Sequence, residues 1–348
     1  MKAIMYKGPR DLEVIQVPRQ DMGEDQIRLK SVYSGVSHGT EMNIYRGIAP
    51  FFRKKQDPET RLFLPAEEDE LWEYPVRSCD PGVWYMGYAS VGEVIEVGKN
   101  VEGIKIGDLL ACSAPHQEEN VIYAKDAVLL PPDIPAEKGV LFTNLITAYN
   151  GIMDTHINLG DVVVISGLGV IGQLLVQMAK MSGAAKVYGI DVLEKRRQAA
   201  LENGCDEVFD PGAGDIALEI RKRTENRGAD KVIEASGNGK ALNEAIRIAA
   251  PETTVTALAW YQGALSSVDL SEEFHHNRIG IKQSQTGAVD PAFSNLWNYD
   301  RRVKTCLHIL EKLKTDNLFT EFSYDHIQEA YHTIDKEPGK VIQAVITY

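Results

Sequence analysis

The stretch Val162-Val163-Val164-Ile165-Ser166-Gly167-Leu168-Gly169-Val170-Ile171-Gly172 limits what this chain can fold into more than any other segment. A short apolar, β-branched run predicts a buried strand. The glycines that follow allow a tight turn at Gly167, close approach of a pyrophosphate at Gly169, and close packing of a helix on the strand at Gly172. An amphipathic pattern over Val170–Met181 predicts that helix, and Lys186–Ile190 predicts a second strand that ends on Asp191. Strand, glycine turn, helix and acid-terminated strand together form a dinucleotide-binding unit. Phosphates would rest on free N–H groups at the helix start, where the dipole favours negative charge. The predicted cofactor contacts are therefore Gly167, Leu168, Gly169, Val170, Ile171 and Gly172.

Asp191 points to the cofactor's identity. A carboxylate at the end of the second strand accepts hydrogen bonds from both ribose hydroxyls of NAD and repels the 2′-phosphate of NADP. The competing reading is an exposed strand-end aspartate. Lys195-Arg196-Arg197 lies just downstream and could hold a phosphate. These residues open a helix over Glu194–Asn203, so a solvated face is expected of them, with Arg196 lying over the adenosine. NAD is the expected cofactor.

A chain of 348 residues is long enough for two domains with sizeable cores. Its formal net charge of −13 repels nucleic acid and anionic membrane, so neither is an expected partner. Cys79, Cys112, Cys205 and Cys306 are scattered with no CxxC pair. That argues against both a disulfide framework and a four-cysteine zinc site. Without a run of about 18 apolar residues or an apolar leader, a cytoplasmic protein is expected.

Residues 1–145 alternate short apolar runs with glycine and proline, at Leu12–Val17, Gln26–Val36, Gly92–Val97, Asp108–Ser113 and Asn120–Leu130. Such spacing suggests a partly closed antiparallel barrel. Within it, residues 46–82 lack periodicity and are read as a wall or lid of a substrate site, or as a solvated excursion. Residues 146–288 instead alternate strands with helices. The strands are expected at Val162–Ser166, Lys186–Ile190, Glu207–Phe209, Lys231–Ala235, Thr254–Ala259 and Gly280–Ser284, six in all, as a doubly wound α/β domain needs. Residues 289–348 add helices Arg301–Lys314 and Asp325–Asp335 and a final strand, Val341–Thr347.

With Ser34-Gly-Val-Ser-His-Gly-Thr-Glu41, Gly87-Tyr-Ala-Ser-Val-Gly92, Thr147-Ala-Tyr149 and Glu234-Ala-Ser-Gly237, the whole chain resembles the medium-chain dehydrogenase/reductase superfamily. The resemblance implies a GroES-like, mostly β catalytic domain (1–145, with 289–348 returning to it) beside a Rossmann cofactor domain (146–288). The active site would lie in the cleft between them. It also implies that Ser236 faces the nicotinamide ribose and that Thr147 supports the nicotinamide. Pairing of the sixth Rossmann strand, Ile279–Gln285, would give a homodimer.

Departures from the family are equally informative. Zinc members place Cys where this chain has Ser37, His then Glu where it has Tyr88 and Ala89, and a third ligand at about Thr143. Serine, tyrosine and threonine are poor zinc ligands because none is readily deprotonated at neutral pH. A zinc-free member is therefore expected.

Without a metal, alcohol oxidation needs a positioned general base, and ketone reduction needs the same group as acid. Tyr88 is the leading candidate, since the positive nicotinamide of NAD⁺ or a nearby cation could lower its pKa; the competing role is packing of the cleft floor. His38 suits proton relay or, as the resemblance implies, contact with cofactor phosphate. Ser37 could bind the substrate oxygen. Glu41 could orient His38, with capping of the helix that starts near Thr40 preferred. The resemblance puts His116 on a substrate-facing loop, with substrate contact weighed against a structural role; His275-His276 is read at a structural or subunit edge, and Trp260 and Tyr261 either beside the nicotinamide or in a core or dimer interface. The expected protein is a zinc-independent, NAD-dependent alcohol dehydrogenase for a sugar, polyol or cyclitol. An NADPH-dependent enone or quinone reductase and a non-catalytic nucleotide-binding homologue are the alternatives.

Overall fold

The computed structural model describes every residue except Trp84, in two compact units: residues 1–143 with 319–348, and residues 144–318. Strands of the first are β1 (Lys2–Gly8), β2 (Asp11–Gln16), β3 (Gln26–Gly35), β4 (Lys55–Gln56), β5 (Phe63–Leu64), β6 (Val76–Arg77), β7 (Ser90–Val97), β8 (Leu109–Cys112), β9 (Glu119–Tyr123) and β10 (Ala127–Leu129). Strands of the second are β11 (Val162–Ser166), β12 (Lys186–Ile190), β13 (Glu207–Phe209), β14 (Lys231–Glu234), β15 (Thr254–Ala257) and β16 (Gly280–Gln283). The chain then returns to the first unit with β17 (Phe319–Ser323) and β18 (Gln343–Thr347).

In the first unit the long strand β3 organises the sheet. It pairs antiparallel with β7 throughout, with β9 through Gln26–Lys30 and with β18 through Tyr33–Gly35. The path runs β10-β8-β7-β3-β18-β17, and only β17 and β18 pair in parallel. A smaller sheet, β2-β1-β6, lies in the same unit. Strand β1 has no counterpart among the sequence expectations. The expected run Asn120–Leu130 is divided by a single-turn helix, Ala124–Asp126, into β9 and β10.

Within residues 46–82 four aromatic residues pack inward, while most of residues 53–70 are exposed. Phe51 stacks on Trp72 at 4.5 Å between ring centroids, Trp72 on Tyr85 at 4.0 Å and Phe52 on Tyr74 at 5.0 Å. This aromatic column packs against the core formed by Ile4, Tyr6, Met42, Ile44 and Tyr331. Aromatic contacts have no fixed sequence period, so the segment reads as irregular although it is built.

All six strands of the second unit are parallel, in the order β13-β12-β11-β14-β15-β16. That is the doubly wound Rossmann arrangement, with its crevice where the strand order reverses, beside β11. Val163, Val164 and Ile165 are fully buried, as a sheet covered on both faces demands.

One boundary is corrected. Residues 289–318 belong to the second unit, and the return begins at Phe319 rather than at residue 289. The reason is a set of polar ties. Gln177 Nε2 donates to Lys314 O at 3.0 Å, and Lys314 N donates to Gln177 Oε1 at 2.8 Å. Buried Arg302 donates to Asn150 Oδ1 at 2.9 Å, while Asn150 Nδ2 donates to the carbonyls of Gln285 and Ala288. Among the described residues, no helix is long and apolar enough to cross a membrane.

Candidate functional site

Two constellations stand out, one in each unit. In the second unit a cavity of about 620 Å³ opens at the carboxyl ends of β11, β12 and β14, and Gly167, Asp191, Arg196 and Ser236 are among its lining residues. Gly167 has φ of +93°, and a Cβ there would lie 2.6 Å from the Ser236 nitrogen. A Cβ on Gly172 would fall 2.0 Å from the Gly167 carbonyl oxygen, so no side chain fits between helix and strand. At Gly169, by contrast, a Cβ would meet only Arg196 Nη1 at 3.8 Å, leaving the loop open to a ligand. Gly169 caps helix Val170–Met181 without a side-chain hydrogen bond, which leaves the helix start suited to an anion. The residues fit a dinucleotide.

Leu168 and Val170 are buried and Ile171 is partly so. Leu168 donates its N–H to Asp191 Oδ2 at 2.8 Å. Asp191 also accepts from Leu193 N at 2.9 Å, with Arg196 Nη1 3.7 Å from Oδ2. The aspartate is therefore buried and fixed, not an exposed strand end, and each carboxylate oxygen keeps a further lone pair. Nor do the arginines form a solvated face. Arg197 Nη1 donates to Asp191 O at 2.7 Å and Arg197 pairs with Asp210 at 3.2 Å, while Arg196 lines the cavity. Ser236 turns its hydroxyl back to Glu234. Thr147 lies partly buried on helix Phe142–Thr155, and Trp260 is 37% exposed beyond β15; neither lines this cavity.

The first unit gathers Ser37, Tyr88 and Thr143, the three positions where the resemblance would put zinc ligands. Ser37 is buried on the turn between β3 and helix Thr40–Tyr45, and partly buried His38 follows it. Tyr88 OH donates to Ser37 Oγ at 2.5 Å, and Thr143 Oγ1 donates to the Tyr88 carbonyl at 2.9 Å. The donors are thus hydroxyls already hydrogen-bonded within the cluster. No three His, Cys, Asp or Glu among the described residues form a group able to hold a metal. This donor set does not fit catalytic zinc, which takes thiolate, imidazole or carboxylate.

Burial, with the Glu41 carboxylate adding to it, pushes Tyr88 up to about 12. No side-chain cation among the described residues lowers it, so Tyr88 by itself is protonated at neutral pH, and any lowering would have to come from an oxidised nicotinamide.

Beneath this pair lies a network absent from the sequence reading. Glu41 and His116 are both completely buried. Glu41 Oε1 accepts from Ser37 N at 2.8 Å, and Oε2 meets His116 Nε2 at 2.8 Å and Tyr331 OH at 2.8 Å. His116 Nδ1 meets Ser34 Oγ at 2.7 Å, and Ser34 Oγ meets Tyr348 OH at 2.9 Å. Two expectations are corrected here. His116 is not a substrate contact, because both ring nitrogens are engaged in the core. Glu41 neither orients His38 nor caps its helix, whose cap Gly39 has no side-chain bond; it grips the Ser37 backbone instead.

Residues 170–299 match the family described as "Zinc-binding dehydrogenase". The chain is 27% identical to D-guloside 3-dehydrogenase of Escherichia coli over the full length of both. It is 25% identical to (R,R)-butanediol dehydrogenase of Bacillus subtilis, covering 98% of each. The solved structure of 2R,3R-butanediol dehydrogenase from Bacillus subtilis superposes with a TM-score of 0.79 at 19% identity, over 100% of this chain and 99% of that one. With its GroES-like unit, its Rossmann unit and this likeness along the full length, the chain is similar throughout to zinc-type alcohol dehydrogenases of the medium-chain dehydrogenase/reductase kind.

Proposed function

We propose that this chain is an NAD-dependent oxidoreductase that interconverts a secondary alcohol and its ketone on a polar hydroxylated metabolite, without zinc. The observation that carries this reading is the Tyr88–Ser37 hydroxyl pair standing where the family's zinc ligands stand. The relative named D-guloside 3-dehydrogenase supports a sugar or glycoside over a simple alkanol, as do the polar side chains around Ser37.

Ser37 Oγ accepts the Tyr88 hydroxyl and keeps its own proton for an outside oxygen. A substrate oxygen would take that hydrogen bond, while Tyr88 replaces the proton and holds the serine rotamer. The network below fixes the turn through the Ser37 N–H. When bound, the nicotinamide supplies the hydride chemistry. Asp191, held by Leu168 and Leu193, supports NAD by offering its remaining lone pairs to ribose hydroxyls. We also infer a homodimer through β16, an edge strand with Ile281 41% exposed.

The test is a screen of glycosides, sugars, polyols and cyclitols with NAD⁺ or NADP⁺, following NADH or NADPH absorbance. Turnover of a hydroxylated substrate with NAD⁺ is expected. Preference for NADPH with an enone or quinone would overturn the reading in favour of a reductase, and cofactor binding with no turnover would favour the non-catalytic homologue.

A further inference from the structure

At the end of β14 the apolar run Val232-Ile233 closes on a carboxylate, Glu234, with no exposed surface. Its Oε1 accepts from the backbone N–H and the hydroxyl of Ser236, and its Oε2 from the Gly237 N–H at 3.4 Å and from Tyr261 OH. Every contact donates to the acid, which is the pattern of an ionised group. Burial raises its pKa, and the donors from Ser236, Tyr261 and Gly237 oppose that rise. Among the described residues, no lysine, arginine or histidine pairs with it.

A buried anion stabilised only by dipoles is costly unless a cation can approach. In a doubly wound sheet each half binds one half of a dinucleotide. Asp191 ends β12, so the adenosine falls over β11–β13 and the nicotinamide over β14–β16. Glu234 therefore lies at the nicotinamide half, one hydrogen bond behind Ser236, which lines the crevice. A nicotinamide ring carries a positive charge when oxidised and none when reduced.

We propose that Glu234 is an electrostatic determinant of cofactor redox-state preference, whose buried charge favours the oxidised, cationic nicotinamide nucleotide over the reduced one. This rests on the nicotinamide-nucleotide reading above. Glu234 also fixes the turn at Ser236 and Gly237, but a purely mechanical role would affect both redox states alike.

The experiment measures the dissociation constants of NAD⁺ and NADH by calorimetry, with NADH fluorescence as a cross-check, for wild type, Glu234→Gln and Tyr261→Phe. Glu234→Gln keeps the shape and removes the charge. It should weaken NAD⁺ relative to NADH by about threefold or more, since a unit charge in a poorly screened site acts over many ångströms. Tyr261→Phe keeps the charge, so the ratio should stay at or above the wild-type preference for NAD⁺. Equal weakening of both nucleotides in Glu234→Gln would overturn the inference. So would a fall in the ratio for Tyr261→Phe, a result that stands even if the glutamine variant does not fold. Failure of wild type to bind either nucleotide would instead overturn the cofactor reading itself.

Discussion

Removing the Glu41 carboxylate tests whether the hydroxyl pair is held from below. Glu41 lies at 0% exposure with three donors at 2.8 Å: the Ser37 N–H, His116 and Tyr331. Glu41→Ala strands all three in the core of the first unit. Each unsatisfied buried group costs about 1–3 kcal/mol, and loss of one partner from a buried charged contact costs about 3–5 kcal/mol. Entry of water into the vacated space would offset part of the sum, so about 3–5 kcal/mol is expected. At roughly 2–4 °C per kcal/mol for a unit of this size, the calorimetric transition of the first unit should fall by about 6–20 °C. Glu41→Gln retains the shape and can still accept from Ser37, while its amide donates to a re-tautomerised His116; about 1 kcal/mol is expected. A cycle with His116→Ala should show coupling of about 1–3 kcal/mol, because the two side chains share one contact. If Glu41→Ala melts within about 2 °C of wild type, or the cycle is additive, the network does not carry the turn.

Tyr88→Phe should slow hydride transfer about 10²-fold with NAD affinity near normal; unchanged single-turnover rates would return Tyr88 to packing. Because Tyr88 is pushed up to about 12, it stays protonated through the neutral range and loses its proton only in strong alkali. Any inflection of the wild-type pH–rate profile between about pH 6 and 9 should thus persist in Tyr88→Phe, and its disappearance would contradict the raised pKa. Asp191→Ser should weaken NAD about tenfold and improve NADP, as measured by titration; a wild type that prefers NADP would sink the ribose argument. Elemental analysis should find no stoichiometric zinc, and a chelator should leave turnover intact; loss of activity restored by zinc would refute the metal-free reading. Size measurement at micromolar concentration should give a dimer, and a monomer would count against pairing through β16.

The Rossmann half is legible because its information is local. A glycine spacing, a 3.6-residue period and acid-terminated apolar strands all occur within windows of a few residues. Helix Val170–Met181 and strands β11, β12 and β13 stand where the pattern predicts them. What escaped detection depends on long-range contacts. Glu41 and His116 are 75 residues apart, and Glu41 and Tyr331 are 290 apart; no sequence period links them. A clue was present, since Glu41 opens a helix in which Met42, Ile44 and Tyr45 are core residues. Similarly, Glu234 follows two buried aliphatics on a central strand, a place where a free acid is rare. The residue 289 boundary failed because helix patterning does not say which sheet a helix joins; Gln177 and Asn150 decide it through side-chain bonds.

The hydroxyl cluster and the network beneath it lead to one chemical constraint. A divalent ion lowers the pKa of a bound alcohol, so an alkoxide can form before hydride leaves. Here Ser37, Tyr88 and Thr143 offer only neutral donors, and burial together with the Glu41 carboxylate makes negative charge on the Tyr88 oxygen less favourable. An alkoxide formed beside Ser37 would meet the same field. The arrangement therefore suits ketone reduction, in which Ser37 would give its proton to the substrate oxygen as hydride reaches carbon, Tyr88 would replace the serine proton and solvent would restore the Tyr88 proton, so that full negative charge never accumulates on the substrate oxygen. On that argument, replacing the metal-ligand positions with hydroxyls changes the timing of charge development and leaves the reaction class as it was.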